Sequence, residues 1–370
     1  MKLLKLFTSV LLLTFLASSL AFAVGTEVLN IAAPLALVAL AVFFFGQKKE
    51  VGTANSVEVE IWENFIAENL FENHPWMLRS KDRGDRIITG PGGVQVVHIP
   101  QAGQKVNVVK NRSQYPIPVT VRNDTDVTYT LDKFSTDGML LTEAEKYQLS
   151  YDKAMSLLND AGFTTNDSIA LELAHRWAAT NATAVTGNII RTTGASIAPY
   201  LDAQTGNKLG FLPADLAAAK TRINKQTKKS NRATNGLWAA MRYDAYNQLK
   251  ANADVRDADQ QAALGAVWEG SELKKLHGFD LFVDDSLPKY KTTASPVLKD
   301  LDEANGTTDL DAIFCFDESF IHRAVGTVKF YEKTDDALYQ GDIYSAFVMA
   351  GGRQERADQA GTCSIVQING

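Results

Sequence analysis

The chain has 370 residues, 45% of them hydrophobic and 22% charged, an ordinary globular composition with room for one large core or two smaller ones. A formal net charge of −6 and a pI near 5.5 argue against a dedicated nucleic-acid binder, which needs a dominant basic face. With Cys315 and Cys363 as the only cysteines, one disulfide between them is open, but neither a disulfide framework nor an all-cysteine zinc site can be built, and two free, buried thiols are the favoured expectation.

The N-terminus is at odds with that soluble composition. MKLLKLFTSVLLLTFLASSLAFA combines Lys2 and Lys5, an apolar run to Leu16 and a small-x-small site at Ala21-Phe22-Ala23, so it reads as a secretory signal peptide. A second apolar run, Val28 to Gly46, contains Pro34 and ends at Gln47-Lys48-Lys49. It is barely long enough to cross a bilayer. Residues 1–50 therefore form a hydrophobic, signal-like extension. Taken alone they indicate export or membrane anchoring.

From Val57 to Leu78, Ile61, Phe65, Ile66, Leu70 and Phe71 share one helical stripe, which Pro75 stops. Strand patterns begin at Arg86. RIIT and VQVVHI flank the turn Gly90-Pro91-Gly92-Gly93. Val106, Val108, Ile117, Val119, Val121, Val127, Tyr129 and Leu131 then alternate as strands, with Pro116 and Pro118 suiting exposed edges. Val96 to Pro118 thus lies in a two-stranded excursion with little apolar mass of its own. Such a ribbon is marginal in water and needs a surface to lie against.

Thr142-Glu143-Ala144-Glu145 is a capping box that opens a helix carrying Ala144, Tyr147, Tyr151, Ala154 and Leu158. Gly162 and Thr164-Thr165 interrupt it. Ile169, Ala170, Leu173, Ala174 and Trp177 resume the stripe as a second helix or a kinked continuation. Thr180 to Asn207 reads as a linker with short elements. Leu212 to Pro288 reads as a compact α/β section: helix at PADLAAAKTRINKQ with Pro213 in its first turn, buried strand at GLWAAM, helix at DAYNQLK, strand at GFDLFVDDSLP. Lys299 to Asp311 is expected to be a solvated acidic loop. GTVKFYE, GDIYSAFVMAGG and GTCSIVQI are three further strands.

Reactive chemistry is hard to find. The five histidines, His74, His98, His175, His277 and His322, form no H-x-x-x-H or H-x-H pair, so no zinc spacing is present. There is no G-x-S-x-G and no cysteine with a nucleophile's local signature. The acidic run from Asp300 misplaces the glycine that an EF-hand loop requires, since Asn305 stands sixth. Lys220 to Arg232 holds six Lys/Arg without interleaved aromatics and reads as a solvated helix face and turn. Five Asn-x-Ser/Thr sequons, at Asn111, Asn123, Asn166, Asn181 and Asn305, are attributed to chance. No catalytic, metal or cofactor site is assigned, and the expected function is contact, not catalysis.

Several blocks taken together, in this order, are similar to a known family: VVHIPQAGQKVNVVKNRSQYP, DTDVTYTLDKFSTD, EAEKYQLSYDKAMSLL, DLAAAKTRINKQ, LHGFDLFVDDSLP, and the run from Ala324 to Gln367. From about Val57 onward the chain resembles the major capsid proteins of tailed bacteriophages, most closely those of phages infecting Bacteroidetes. The resemblance implies the Hong Kong 97-like α+β fold. The corresponding parts would be an N-terminal arm at 51–80, an E-loop at 81–125, a peripheral P-domain strand and spine helix at 126–180, an A-domain at 181–314 and returning P-domain strands at 315–370. It implies a non-enzymatic subunit of a virion shell, assembled in the bacterial host cell as pentamers and hexamers around double-stranded DNA held without sequence specificity. Scaffolding, portal and decoration proteins would be its other partners, and no cofactor is implied. Lys105, Lys110 and Arg112 on the E-loop become candidate intersubunit contacts to acidic neighbours. Net acidity suits a wall that should not grip its cargo, because carboxylate repels phosphate. The alternative reading is an exported or membrane-anchored bacterial surface protein, which residues 1–49 favour. A secreted hydrolase ranks below both, since no triad or metal spacing is present.

Overall fold

The computed structural model describes residues 73–101, 107–117, 119, 121, 123–143, 153–183, 187–227, 236–292 and 294–370. Residues 1–50, the stripe from Ile61 to Phe71, Ala144 to Tyr151, Lys105 and the end of the basic run lie outside them. Among the described residues no helix is long and apolar enough to cross a membrane.

Pro75 opens a 3-10 turn at Pro75–Arg79 that buries Trp76 and Met77. Strands β1 (Lys81–Asp82), β2 (Ile87–Thr89) and β3 (Gln95–Gln101) follow. Gly92 and Gly93 turn β2 back on β3 with φ of +80° each, a conformation open to glycine at no steric cost. β3 alternates as period two requires, with Gln95, Val97 and Ile99 inward. It pairs with β4 (Thr125–Thr130), whose Val127 and Tyr129 meet the same small core. β5 (Asp132–Ser135) and β6 (Met139–Thr142) lead to helix α1, Lys153–Trp177.

Helix α1 runs unbroken through Gly162, Thr164 and Thr165, contrary to the interruption expected there. A mid-helix glycine costs only about 1 kcal/mol, which packing against a sheet offsets. The hydroxyl of Thr164 donates to Asp160 O at 2.9 Å and that of Ser168 to Thr164 O at 2.9 Å, so these side chains join the helix rather than compete with it. The stripe Ile169, Ala170, Leu173, Ala174 and Trp177 is buried as its spacing predicts.

The 180–207 region is less of a linker than expected. It contributes β7 (Ile189–Arg191) to a large sheet, followed by β8 (Ser196–Ile197), with β8's partner β9 (Lys208–Leu209) just beyond it. Helix α2 (Pro213–Thr227), β10 (Leu237–Met241) and α3 (Tyr243–Ala251) stand where the sequence put them. Short helices α4 (Ala253–Arg256) and α5 (Ala258–Leu264) and strands β11 (Val267–Glu269) and β12 (Glu272–Leu276) were not foreseen. β13 (Phe279–Val283) matches its reading, and β14 (Tyr290–Lys291), β15 (Val297–Leu298) and β16 (Asp309–Leu310) make a small sheet. The chain ends in β17 (Ala312–Asp317), β18 (Ile321–Asp336), β19 (Gly341–Gln354) and β20 (Thr362–Val366).

Two sheets organise these elements. A seven-stranded sheet runs β11-β12-β13-β10-β17-β20-β7, with helices α2 and α3 burying Leu216, Ile223, Tyr246 and Leu249 on one face. The second sheet is built on the long β18–β19 hairpin, flanked by β1, β5 and β6, and α1 packs on β19. The three tail strands therefore divide: β18 and β19 pair with each other, while β20 pairs with β17 and β7. Where β18 bulges between Val325 and Val328, Gln95 fills the gap. Its Oε1 accepts the freed N–H of Thr327 at 3.2 Å and its Nε2 donates to Thr327 Oγ1 at 2.7 Å. At Gly352 a Cβ would stand 2.6 Å from both His322 O and Leu173 Cδ2, so α1 can lie this close to the hairpin only over a glycine.

The chain is clamped where the described residues begin. Arg323 Nη1 collects the carbonyls of Met77 (3.2 Å), Leu78 (3.3 Å) and Ser80 (2.6 Å), ending the 3-10 turn with a charged donor. His74 bridges two elements: Nε2 lies 2.8 Å from Asp167 Oδ1 on α1, and Nδ1 bonds Asp284 at the end of β13. Burial lowers the His74 pKa, but the two carboxylates outweigh it and the net direction is upward from 6.5.

Phe330 is buried and Lys329 exposed on β18, the two faces that alternation assigns. Phe330→Asp should cost at least about 3 kcal/mol by leaving an unpaired charge in place of an aromatic, and Lys329→Asp should leave the melt within about 0.5 kcal/mol of the parent. Thermal melts of unassembled subunits measure both. Because the folded-state pKa of His74 is raised, its stabilisation is complete below 6.5 and is lost as pH rises through the raised value. The stability gap between parent and His74→Gln should be about 1–3 kcal/mol near pH 6 and shrink towards zero near pH 9, read from denaturant curves at each pH.

Candidate functional site

The segment that the sequence singled out splits into a rooted base and an uncovered end. At the base, Val97, Ile99, Val127, Tyr129, Leu131 and Ala324 form a satellite core. Gln101 Nε2 donates to Glu355 O, and an Arg353 Nη1 donates to Thr128 O at 2.8 Å, tying both strands to the long hairpin. His98 pairs with Asp126 across β3 and β4 on the exposed face.

Beyond β3 the pattern changes. The described residues between 107 and 121 contain no strand, although Val108, Ile117, Val119 and Val121 were read as strand positions. Alternation of apolar residues indicates a strand only when one face has something to cover, and here neither face does. Val108, Val119 and Val121 are 89%, 93% and 88% exposed, with Tyr115 and Ile117 also open to solvent. Lys110 is exposed and Arg112 half-buried, while Lys105 lies outside the described residues. This segment therefore concentrates uncovered large apolar side chains beside two cations.

A second uncovered point is the turn of the long hairpin, where Leu338 is 87% exposed and Tyr339 also projects. The turn is held by Asp336, which accepts from Leu338 N at 2.8 Å and pairs with Lys333. Glu143, Asp335 and Asp342 bring carboxylate oxygens within 4.8 Å of one another nearby, but Asp342 Oδ1 already accepts the Asp335 N–H at 3.0 Å. The sequence signal for this turn was only Gln340-Gly341 between two strands, which says nothing about its protruding apolar pair.

The acidic loop departs most from its sequence reading. Asp309 and Asp311 are almost wholly buried, not solvated. Lys299 Nζ lies 2.8 and 2.7 Å from the two Asp309 oxygens and donates to Ala304 O at 2.7 Å. Arg242 pairs with Asp311 and donates to Leu287 O, while Tyr200 OH donates to Asp311 Oδ2 at 2.7 Å. Burial, then the Asp311 charge, pushes the Tyr200 hydroxyl far above its ordinary range, so it stays a neutral donor. A buried ion pair tolerates burial only when its remaining polar atoms are also bonded, and here they are. Charge clustering in sequence could not reveal this, because Arg242 comes from the end of β10.

The five histidines lie on separate elements. His175 Nε2 lies 3.2 Å from Lys299 O, and His277 sits in a tight turn with φ of +51° and its pKa lowered by burial. His322 is fully buried, with its pKa held down to about 3 by burial and by Arg83, Lys81 and Arg86. Cys315 and Cys363 are free and buried, as expected. Asn166, one of the sequon residues, is 1% exposed and inaccessible to modification in the folded chain. A cleft of about 520 Å³ lies between α1 and the loops after β10 and β13, where Asp167, Asp202, Asp244 and Asp285 face Arg242 and Lys289.

No protein-family model matches the chain, and no curated protein is similar to it. Solved structures do match. The capsid of cyanophage P-SCSP1u is similar with a TM-score of 0.51 at 19% identity, covering 78% of this chain and 85% of that one. The capsid of Ralstonia phage GP4 gives 0.51 at 11% identity over 79% and 87%, and that of a native GTA particle gives 0.50 at 10% over 80% and 89%. Identities this low speak for fold alone. The chain shares the mixed α+β fold of phage capsid proteins, the Hong Kong 97-like fold.

Proposed function

We propose that the chain is the shell-forming major capsid subunit of a tailed phage, assembling with copies of itself into pentamers and hexamers of an icosahedral head around double-stranded DNA. One observation carries the reading: a fold shared over most of the chain with subunits whose structures are capsids. In that reading residues 51–80 are the N-terminal arm, 81–125 the E-loop, α1 the spine helix and 181–314 the A-domain, with β18 and β19 as the returning P-domain strands. β20, the last strand of the 315–370 segment read as returning P-domain strands, pairs with β17. The uncovered valines at 108, 119 and 121 then have a purpose, since an E-loop is covered by the adjacent subunit. Lys105, Lys110 and Arg112 reach acidic groups on that neighbour.

Residues 1–50 favour the second reading, a membrane-anchored surface protein. In the capsid reading they are an extension removed before the particle matures, because an apolar run this long does not stay exposed on a shell subunit. Electron microscopy of the expressed protein separates the two: closed shells or hexamer rings support the capsid subunit, and membrane-bound monomers support the anchored protein.

Two further outcomes follow. Deleting Gln101 to Gln114 should leave the melting temperature within about 3 °C of the parent, since that stretch adds little to the core, and should abolish stable shells seen by electron microscopy. Intact-mass measurement of purified particles should find subunits lacking roughly residues 1–50; Met1 to Lys49 still present would refute the removal.

A further inference from the structure

The two cysteines, 48 positions apart in the sequence, stand opposite each other across β17 and β20 in the antiparallel register Cys315↔Cys363. Asp317 N–H donates to Gly361 O at 2.9 Å and Gln367 N–H to Asp311 O at 3.0 Å. Bonded and non-bonded pairs alternate along such a ladder, so the cysteines occupy a bonded pair, with Cα atoms about 5.5 Å apart. That spacing falls in the middle of the range a disulfide spans. Both side chains point to the same face, into the core cluster under α2 and α3. Opposed Cβ atoms of a bonded pair stand about 5.5 Å apart and a disulfide needs about 4 Å, so closing the bridge draws the two strands together locally.

We propose that Cys315 and Cys363 form a latent cross-strand dithiol, a modification site that closes to a disulfide when the chain folds in contact with a small-molecule disulfide oxidant. The bridge would close a loop containing all of β18 and β19, tying the root of the long hairpin to the seven-stranded sheet. The chemistry is two thiol–disulfide exchanges. One cysteine thiolate attacks the oxidant's S–S bond, forming a mixed disulfide and releasing one reduced thiol. The second cysteine thiolate then attacks the protein sulfur of that mixed disulfide, and a second reduced thiol leaves. The two cysteine protons pass to the two released thiolates, the protein pair is oxidised by two electrons and the oxidant is reduced by two.

Burial also sets the timing. It pushes both thiols up, Cys363 to about 12, so thiolate is scarce in the folded chain and exchange there is slow. Closure belongs to the folding step, when the strands are pairing and the sulfurs are still reachable. A chain folded in a reducing compartment keeps two thiols, and one folded under oxidising conditions acquires the bridge.

Refolding the full chain from denaturant with oxidised glutathione, beside a reference refolded with excess reductant, tests this by intact mass after alkylation under denaturing conditions. The oxidised sample should take up no alkyl groups and lose two hydrogens, and the reduced sample should take up two. The bridged form should melt about 5 °C or more above the reduced form. Cys315→Ala and Cys363→Ala, each refolded the same way, should show no such rise. Two alkylated thiols after oxidative refolding would overturn the proposal. So would a mixed disulfide that does not resolve, or a bridged form that melts below the reduced one.

Discussion

Three tryptophans from distant parts of the chain meet at one point, and the two large sheets are joined through them. Trp76 from the 3-10 turn, Trp177 from the end of α1 and Trp238 from β10 lie with ring centroids 5.8 to 6.3 Å apart. Phe316 of β17 closes the group at 4.6 Å from Trp238. Each ring removes on the order of 200 Å² from water, and edge-to-face contacts add to that burial. The two outer indoles are also anchored by their N–H groups: Trp76 donates to Asp284 at 2.6 Å and Trp177 to His322 O at 3.0 Å. That second bond reaches the root of the β18–β19 hairpin. Gln354 caps the end of α1 through the carbonyls of Trp177 and Ala178, so helix, hairpin and central sheet share one fixed junction.

The rest of the architecture depends on that junction being rigid. The hairpin extends 16 and 14 residues from it, far more than an isolated ribbon sustains in water. It holds its course because α1 lies along one side and β5 and β6 pair with its edge. Gln95 at the bulge transmits the same rigidity to the β2-β3-β4 sheet, from which the uncovered segment around Val108 to Val121 projects. A stiff body bearing an uncovered apolar arm is physically suited to association with its own kind. The arm leaves exposed the surface that another copy can bury.

Charges serve the same junction from outside. His74 and Arg323 clamp the entering chain, the Arg242–Asp311 pair ties the end of the small β14-β15-β16 sheet to the central one, and the Lys299–Asp309 pair braces the small sheet internally. Such pairs are individually weak sources of stability, because desolvation offsets attraction. Their value is directional. They accept one geometry and reject others.

Much of this was legible in the residues. Period-two alternation located β3, β4 and the strands of the tail, a 3.6-residue stripe located the buried face of α1, and Gly90 to Gly93 located a turn, because each pattern records which side of an element meets water. Lys105, Lys110 and Arg112 could be singled out as cations on a weakly apolar ribbon, but a sequence pattern names no partner for them. The continuity of α1 through Gly162 was hidden, because local propensity is weaker than the packing that overrides it. So was the burial of Asp309 and Asp311, because Arg242 reaches Asp311 from a distant strand end and the loop folds its own Lys299 back onto Asp309. The sequence by itself determined the longer periodic elements, such as β3, β4, α2 and β18, because each records in its side chains which face meets water. Only the tertiary structure decided that β20 leaves its neighbours for the central sheet, that three tryptophans weld the sheets together and that two cysteines face each other. Those depend on which distant segments can be brought into contact at close-packed density, and no local pattern encodes that.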